Sequence, residues 1–402
     1  MEMKVDHVVF SSSGGAGTAA ARIVNAQKLA NIDAELICTT NGQIGSAGAR
    51  SPSLLSSAAT DHLLIRKRNA SSILSVLRSS FSANLEIRTK SLLHLHWIPG
   101  SISLTELGAG IAPRSSLVVT LHDMWPFSGG CHFSDGCEGY RNGCSECPMV
   151  RRPFRKLISR NFEAKRTIYS RLEKLVIISP GQEMLEAASQ GSIFPVGTEF
   201  VHLPNPLMIA NDRSNNNESR SRSKGTFTIA VMANDLREPR KNVKRAVVAF
   251  ERLRRKYSGL KSLEMVMIGR NAPVPSGDSH VKNLGFYSKP EELAQHLSDV
   301  DLLWSFSSGE VFPNAVVELA ARGTPSVLSK IPGHAFAARA GFAVLFESDH
   351  EAVEVTAQLI SDVQKMSQLK KLAKEYSESL SPIAIGVRYR EIYGNLFREG
   401  SS

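Results

Sequence analysis

Val5–Thr39 reads VDHVVFSSSGGAGTAAARIVNAQKLANIDAELICT. An apolar run from Val5 to Phe10 ends in Ser11-Ser12-Ser13-Gly14-Gly15-Ala16-Gly17-Thr18, an Ala-rich helical pattern covers Ala19 to Leu29, and a second apolar run covers Ala34 to Thr39. Strand, loop, helix and strand in that order form the opening unit of a doubly wound parallel sheet. Gly14 and Gly15 let backbone N–H groups approach a pyrophosphate just ahead of a helix. The spacing is not that of the dinucleotide GxGxxG, and such a turn is as often only a tight turn.

The pattern continues outward. Leu92 to His96, Leu117 to Leu121 and Leu175 to Ile178 are further buried-strand candidates, each ending in polar or Gly/Pro residues. Asn211 to Gly225 is polar and lacks an apolar period, as in a linker. The alternation then restarts: a strand at Phe227 to Met232, a helix over Val243 to Tyr257, a strand at Leu263 to Ile268, and further elements at Asp301 to Phe306, after Pro313, at Ser326 to Leu328 and at Ala343 to Phe346. Glu351 to Glu378 reads as helical, and Ser381-Pro382 breaks the chain before an amphipathic stretch at Val387 to Phe397. With 402 residues the chain is long enough for two domains. The expected division is 1–205, 206–382, and a C-terminal helix over 383–402 that crosses back to the first domain.

Composition narrows the class. The hydrophobic fraction is 42%, that of a globular protein with a packed core. No apolar run is long enough to span a bilayer and no secretory leader is evident, so a cytoplasmic location is expected. The net charge of +10 is concentrated: Arg151 to Lys174 holds nine basic residues against Glu163 and Glu173. Phe154, Leu157, Ile158, Phe162, Ile168, Leu172 and Leu175 recur there at helical spacing, so the segment reads as an amphipathic helix with a basic face. That face is either simply solvated or meets anionic headgroups. Nucleic acid is not expected, because no recognition motif accompanies the charge.

Ser307 to Pro332 reads SSGEVFPNAVVELAARGTPSVLSKIP. Pro313 suits a first helical residue, while Gly323 and Pro325 close the helix. The unpaired N–H groups of its first turn and its dipole suit a phosphate. Glu310 stands just before that helix and Glu318 within it, and a carboxylate accepts hydrogen bonds from sugar or ribose hydroxyls. Ala233 to Val243 (ANDLREPRKNV) follows the first strand of the second domain and carries Arg237, Arg240 and Lys241, cations that would stabilise a departing diphosphate. In the first domain, LLHLHWIP (Leu92 to Pro99) and VVTLHDMWPFSGG (Val118 to Gly130) place histidines at strand ends, where they can bond a sugar or steer a proton, or simply be buried and satisfied. Trp97 and Trp125 offer apolar faces to a sugar ring.

Four of the five cysteines fall within seventeen residues: Cys131, Cys137, Cys144 and Cys147, inside the loop 131–148. Four thiolates in one loop suit a structural zinc, with His132 as a substitute ligand; packed thiols and an iron–sulfur or redox role are the alternatives.

The string EVFPNAVVELAARGTP, from Glu310 to Pro325, resembles the E-x7-E signature of glycosyltransferase family 4. HDMWPFSGGCHFSDGCEGYRNGCSECP resembles a bacterial exopolysaccharide subgroup of that family, colanic-acid-type enzymes included. The resemblance implies the GT-B fold: two Rossmann-like α/β domains facing across a cleft, with the acceptor on the first and the donor on the second. It implies a retaining transfer from a UDP- or GDP-sugar to a lipid-diphosphate-linked oligosaccharide, with no cofactor required for catalysis and with peripheral attachment to the inner face of the membrane. Glu310, Lys241 and His122 would be the catalytic set. Gly14, Gly15, Arg240, Gly269, Val311, Phe312, Pro313, Asn314 and Glu318 would line the donor, and His96, Trp97 and Asp123 the acceptor. The family's usual arginine ahead of the lysine is replaced near Asn234 or Asp235, where Arg237 or Arg240 would substitute. An epimerase or phosphorylase of the same fold, or a non-catalytic scaffold, are the rival readings.

Overall fold

A computed structural model describes residues 3–39, 91–99, 101–208, 225–257, 259, 262–273, 279–287 and 290–399. The linker expected at Asn211 to Gly225 lies outside these residues except for Gly225. The chain divides into two compact units, Met1–Pro206 with Pro382–Ser402, and Leu207–Ser381.

The first unit is built on a parallel sheet of β1 (Lys4–Val9), β2 (Asp33–Cys38), β3 (Leu92–Leu95), β4 (Ser116–Thr120), β5 (Lys174–Ser179) and β6 (Glu199–His202), in the order β2-β1-β3-β4-β5-β6. Strands β3 and β5 are buried almost throughout, as expected where helices cover both faces of a parallel sheet. The helices are α1 (Gly14–Leu29), α2 (Leu104–Gly110), α3 (Arg155–Tyr169) and α4 (Gln182–Ser189). Helix α2 is fixed at its start by a capping box between Ser103 and Glu106.

The second unit holds β7 (Thr226–Asp235), β8 (Ser262–Arg270), β9 (Val281–Gly285), β10 (Leu302–Ser305), β11 (Ser326–Ser329) and β12 (Ala343–Phe346), in the order β12-β11-β10-β7-β8-β9. Counted from its own first strand this is 6-5-4-1-2-3, the Rossmann order, with every described pairing parallel. Its helices are α5 (Val243–Lys256), α6 (Pro290–Leu297), α7 (Asn314–Ala320), α8 (Ala335–Arg339), α9 (Asp349–Ser361) and α10 (Val363–Glu378). Two apolar cores lie on the sheet, one around Phe250, Trp304 and Leu369, the other around Val317, Leu319 and Phe342.

The last helix, α11 (Pro382–Glu399), belongs to the first unit. Its Ile385, Tyr389, Ile392, Tyr393 and Leu396 pack with Val5, Ile23 and Val24. Gly386 permits the approach to α1, since a Cβ there would lie 2.1 Å from the Ala26 carbonyl oxygen.

Several local expectations are corrected. The glycine-rich stretch is the first turn of α1 rather than a loop before it. The basic helix is shorter than its charge run: a 3-10 turn spans Arg152–Phe154, α3 ends at Tyr169, and Leu175 belongs to β5. Residues 351–378 form two helices, because Asp362 leaves helical geometry (ψ 88) and its carboxylate accepts the Lys365 N–H at 2.8 Å. Pro313 is the N-cap of α7, with extended ψ 117, and the helix starts at Asn314. Among the described residues, no helix is long and apolar enough to cross a membrane.

Candidate functional site

In the second unit the chain runs from β7 outward to β9, then returns to lay β10 on the other side of β7. Loops leaving adjacent strands at such a switch point diverge and open a crevice, where doubly wound sheets bind their ligands. Leu236 to Asn242 leaves β7 and Phe306 to Pro313 leaves β10. The two loops are stitched together: the Ser308 N–H donates to the Arg240 carbonyl at 2.9 Å, and the Asn242 side-chain amide to the Phe306 carbonyl at 3.0 Å. Asn242 takes a left-handed φ of 50 to turn the chain into α5.

This stitching brings three charged groups together. Lys241 Nζ lies 2.6 Å and Arg240 Nη1 3.0 Å from Glu310 Oε1, and Glu310 is 9% exposed. Arg240 also bonds the Gly309 carbonyl and pairs with Glu238 at 2.7 Å. Burial alone would raise the Glu310 pKa, but the charges of Lys241 and Arg240 and the Lys241 hydrogen bond hold it well below the usual carboxylate range. The group is thus a fixed, ionised cluster at the switch point. Arg237 is exposed, so Arg240 is the arginine that joins it. Asp235 instead builds its own turn, accepting the Arg237 N–H at 2.8 Å and the Asn271 amide at 3.1 Å.

The remaining donor-side residues divide by what their side chains do. Val311 and Phe312 are buried, and the Phe312 ring packs on Phe336 at 4.7 Å, so their side chains belong to the core. Glu318 is half-buried on α7 between buried Val317 and Leu319, and Asn314 opens that helix. Gly269 is required by packing: its φ is 150 and a Cβ would lie 2.0 Å from the Ala233 carbonyl oxygen. One constraint escapes any linear reading. A Cβ on Gly333 would lie 2.0 Å from the Glu310 carbonyl oxygen, so Gly333 backs the Glu310 loop directly.

In the first unit the switch point lies between β1 and β3, whose ends are joined by the Phe10 N–H donating to the Trp97 carbonyl at 2.7 Å. Gly14 has φ 80 and needs no side chain for that reason, whereas Gly15 faces open space. Gly17, the last glycine of the Gly14-Gly15-Ala16-Gly17 turn, is the tight position: a Cβ would lie 2.1 Å from the Ser11 carbonyl oxygen.

The strand-end histidines form one connected chain. His122 Nε2 lies 2.9 Å from His96 Nδ1, His96 Nε2 2.8 Å from His7 Nδ1, and His7 Nε2 2.8 Å from Gln27 Oε1. The Gln27 amide donates to Tyr393 Oη at 2.8 Å, which lies 2.7 Å from His94 Nδ1, whose Nε2 reaches Thr120 at 2.7 Å. Burial pulls His7 and His122 down from 6.5 to about 4, and burial with neighbouring histidines holds His94 and His96 well below 6.5. All four rings are therefore neutral near pH 7, each with one N–H and one lone pair. With Gln27 accepting from His7, the order of donation runs His122 to His96 to His7, leaving His122 Nδ1 as an acceptor. His7, His94 and His96 also bring nitrogens within 4.8 Å of one another, but every one of these nitrogens is already bonded within the chain, so they leave no lone pair for a metal.

The expected acceptor trio changes accordingly. His96 is 2% and Asp123 5% exposed, and both are engaged inside the unit. Asp123 accepts from Trp97 Nε1 at 2.6 Å, from His132 at 2.6 Å and from the Trp125 N–H at 2.8 Å. Burial opposes its charge, but His132 and these hydrogen bonds hold its pKa down. His96 and Asp123 thus position His122 and Trp97, which are only half-buried. His132 is committed to Asp123 and does not line the cysteine pocket. The Trp125 face is taken by the Lys165 ammonium, 3.7 Å from the ring centre, and Lys165 is buried rather than part of the basic face.

Two six-stranded parallel sheets with flanking helices are the GT-B fold, shared with the solved glycosyltransferase structures described below. Residues 227–362 match the family model described as Glycosyl transferases group 1, so the second unit carries that domain and the resemblance read from Glu310 to Pro325 is borne out. The chain is 28% identical over 260 residues to WcaC of Escherichia coli (strain K12), named for a glycosyl transferase role in colanic acid biosynthesis; the match covers 62% of this chain and 60% of that protein's length. Solved structures share the fold across both chains. WaaG, a glycosyltransferase involved in lipopolysaccharide biosynthesis, aligns with a TM-score of 0.60 at 12% identity over 96% of this chain and 99% of its own. Anabaena HepE in complex with UDP-glucose aligns with a TM-score of 0.59 at 16% identity over 98% of this chain and 100% of its own.

Proposed function

We propose that the protein is a retaining glycosyltransferase that takes a sugar from a nucleotide-sugar donor held on its second unit. The observation that carries this reading is the Lys241–Glu310–Arg240 cluster at the β7/β10 switch point. A diphosphate entering there takes the Lys241 ammonium, and the Glu310 carboxylate is released to accept hydrogen bonds from donor-sugar hydroxyls. Glu318 on α7 is the carboxylate for the ribose. As the bond from the anomeric carbon to phosphate breaks, negative charge grows on the departing diphosphate, and fixed cations stabilise it more than water does. A donor phosphate oxygen takes the acceptor's proton while the new bond forms on the same face. His122, neutral and with Nδ1 as an acceptor, orients a sugar hydroxyl in this reading, and half-buried Trp97 serves the acceptor.

The acceptor in this reading is a lipid-diphosphate-linked glycan of a bacterial surface polysaccharide, met by a cytoplasmic protein at the inner face of the membrane. Arg151, Arg152, Lys156, Arg160 and Arg166 are exposed around α3, with Phe154 exposed beside them, a face suited to anionic headgroups. The donor half is tested by incubating the purified chain with UDP-glucose, GDP-mannose and related donors and following nucleotide release. Release of one nucleoside diphosphate, lost in Lys241→Ala, supports the reading; no release and no nucleotide binding contradict it. Sedimentation with anionic vesicles at low salt tests the membrane part separately, and failure to sediment removes it.

A further inference from the structure

Four thiols of the first unit close on one small void that donor chemistry leaves unused. Cys131, Cys137, Cys144 and Cys147 all line it, together with Met124 and Tyr140. Its volume is about 10 Å³, at the lower limit for a single water. None of the four is in a disulfide, and Cys131, Cys144 and Cys147 are buried. Left-handed turns at Asp135, Gly136, Gly143 and Cys144 wrap the loop around it.

Burial pushes the Cys131 thiol up to about 12 and the Cys144 thiol up to about 11, so the sulfurs are thiols until a cation replaces their protons, but backbone amides are already aimed at three of them. The Gly129 N–H donates to Cys144 Sγ at 3.2 Å and the Gly139 N–H to Cys137 Sγ at 3.3 Å, and the amides of Met149 and Val150 bond Cys147. A neutral thiol is a weak acceptor, so four amides spent on three sulfurs are better matched to anions. A second, independent feature is Lys165. The residue is 2% exposed, carbonyls of Trp125 and Ser128 rather than a carboxylate take its hydrogen bonds, and burial lowers its pKa to about 7, against which the nearby Cys131, Asp123 and Cys144 favour the charged form. A buried ammonium is costly unless an anion lies close.

We propose that Cys131, Cys137, Cys144 and Cys147 bind one Zn²⁺ as a closed four-thiolate site that fixes the loop carrying Asp123 and its partners. Zinc entry displaces four thiol protons, and the resulting centre carries a net charge of two minus, which Lys165 and the four amides face. Soft thiolates select zinc over magnesium or calcium. No three of the sulfurs lie within 4.8 Å of one another, whereas a Zn–S length of about 2.3 Å places them about 3.8 Å apart. Binding therefore draws the sulfurs inward onto the void. A site with no open position orders the loop and performs no chemistry of its own.

The test is elemental analysis of the full chain purified under reducing conditions without chelator, followed by Zn²⁺ titration of any metal-free fraction. One zinc per chain, replaceable by Co²⁺ with the intense visible absorption of a tetrahedral tetrathiolate, is expected. Cys137→Ser should lose that stoichiometric zinc. If the variant does not fold, X-ray absorption of the unmodified chain decides, with four sulfurs at about 2.3 Å expected. Absence of zinc both as purified and on titration overturns the proposal, as does iron with acid-labile sulfide, a disulfide among the four, or a shell with fewer than four sulfurs.

Discussion

Lys241 Nζ and Glu310 Oε1 meet at 2.6 Å across 69 residues of sequence, joining the loop after β7 to the loop after β10. Neither group is free in energetic terms: Arg240 shares the same carboxylate oxygen. Glu310→Ala leaves two largely buried cations facing each other, which should cost about 3 kcal/mol of stability. Lys241→Met alone should cost less, because Arg240 still pairs with Glu310. The double variant Lys241→Met/Glu310→Ala should lose less than the sum of the two single changes, since it removes both members of the pair. Denaturant melts of the four proteins check this, and strict additivity would show that the pair is not coupled.

Acid should loosen the first unit before it touches this cluster. The folded pKa values of His7 and His122 are lowered to about 4 against 6.5, so the unfolded chain binds more protons between those values and stability falls as pH drops through that window. The loss is about 1.4 kcal/mol per histidine per pH unit once the unfolded ring is protonated. Carboxylates held down in the fold, Glu310 and Asp123, add their loss only as pH falls below about 4.5. Denaturation midpoints between pH 7.5 and 5 should decline, and His7→Gln should flatten the decline. A flat profile in the unmodified protein would contradict the buried neutral chain.

Tyr393 ties the last helix to that chain. Tyr393→Phe removes the hydroxyl that Gln27 and His94 both reach, leaving two buried polar groups short of a partner. The expected cost is about 1–3 kcal/mol, read as a lowered midpoint. A neutral result would mean that the two groups find other partners.

The glycines separate packing from binding. Gly17→Ala and Gly333→Ala place a Cβ about 2 Å from a carbonyl oxygen and should each cost at least about 1–3 kcal/mol. Gly15→Ala meets nothing within 4 Å and sits in a helix, so stability should hold or rise by up to about 1 kcal/mol. If donor phosphates approach that turn, the same change weakens donor binding. Thermal melts with and without nucleotide distinguish the two effects.

The fold was legible where apolar runs are buried on both faces, as at Val5 to Val9, Leu175 to Ile178 and Ser326 to Leu328. Of the four edge strands β2 and β12 were legible and two were not: β6 is exposed at Glu199 and His202, and β9 carries Lys282 and Asn283 outward, so neither shows an apolar run. The break at Asp362 was hidden because a capping aspartate leaves the helical apolar pattern on both sides intact. Glu310 and Lys241 were visible through their motifs, but Glu310's contact with Gly333 depends on two loops meeting in space. His7, Gln27 and Tyr393 were missed for the same reason, Gln27 and Tyr393 lying 366 residues apart. A polar residue such as His7 inside an apolar strand was the available signal. Lys165 was misread because net charge along a helix does not say which cation faces the core.

In the proposed function the Lys241–Glu310–Arg240 cluster is a nucleotide-diphosphate site. Isothermal titration of the unmodified chain and of Lys241→Met with UDP and GDP tests that directly. Saturable one-to-one binding of one of the two nucleotides is expected, weakened at least tenfold in the folded variant. Equal affinity in the two proteins, or no binding of either nucleotide to the unmodified chain, would contradict it.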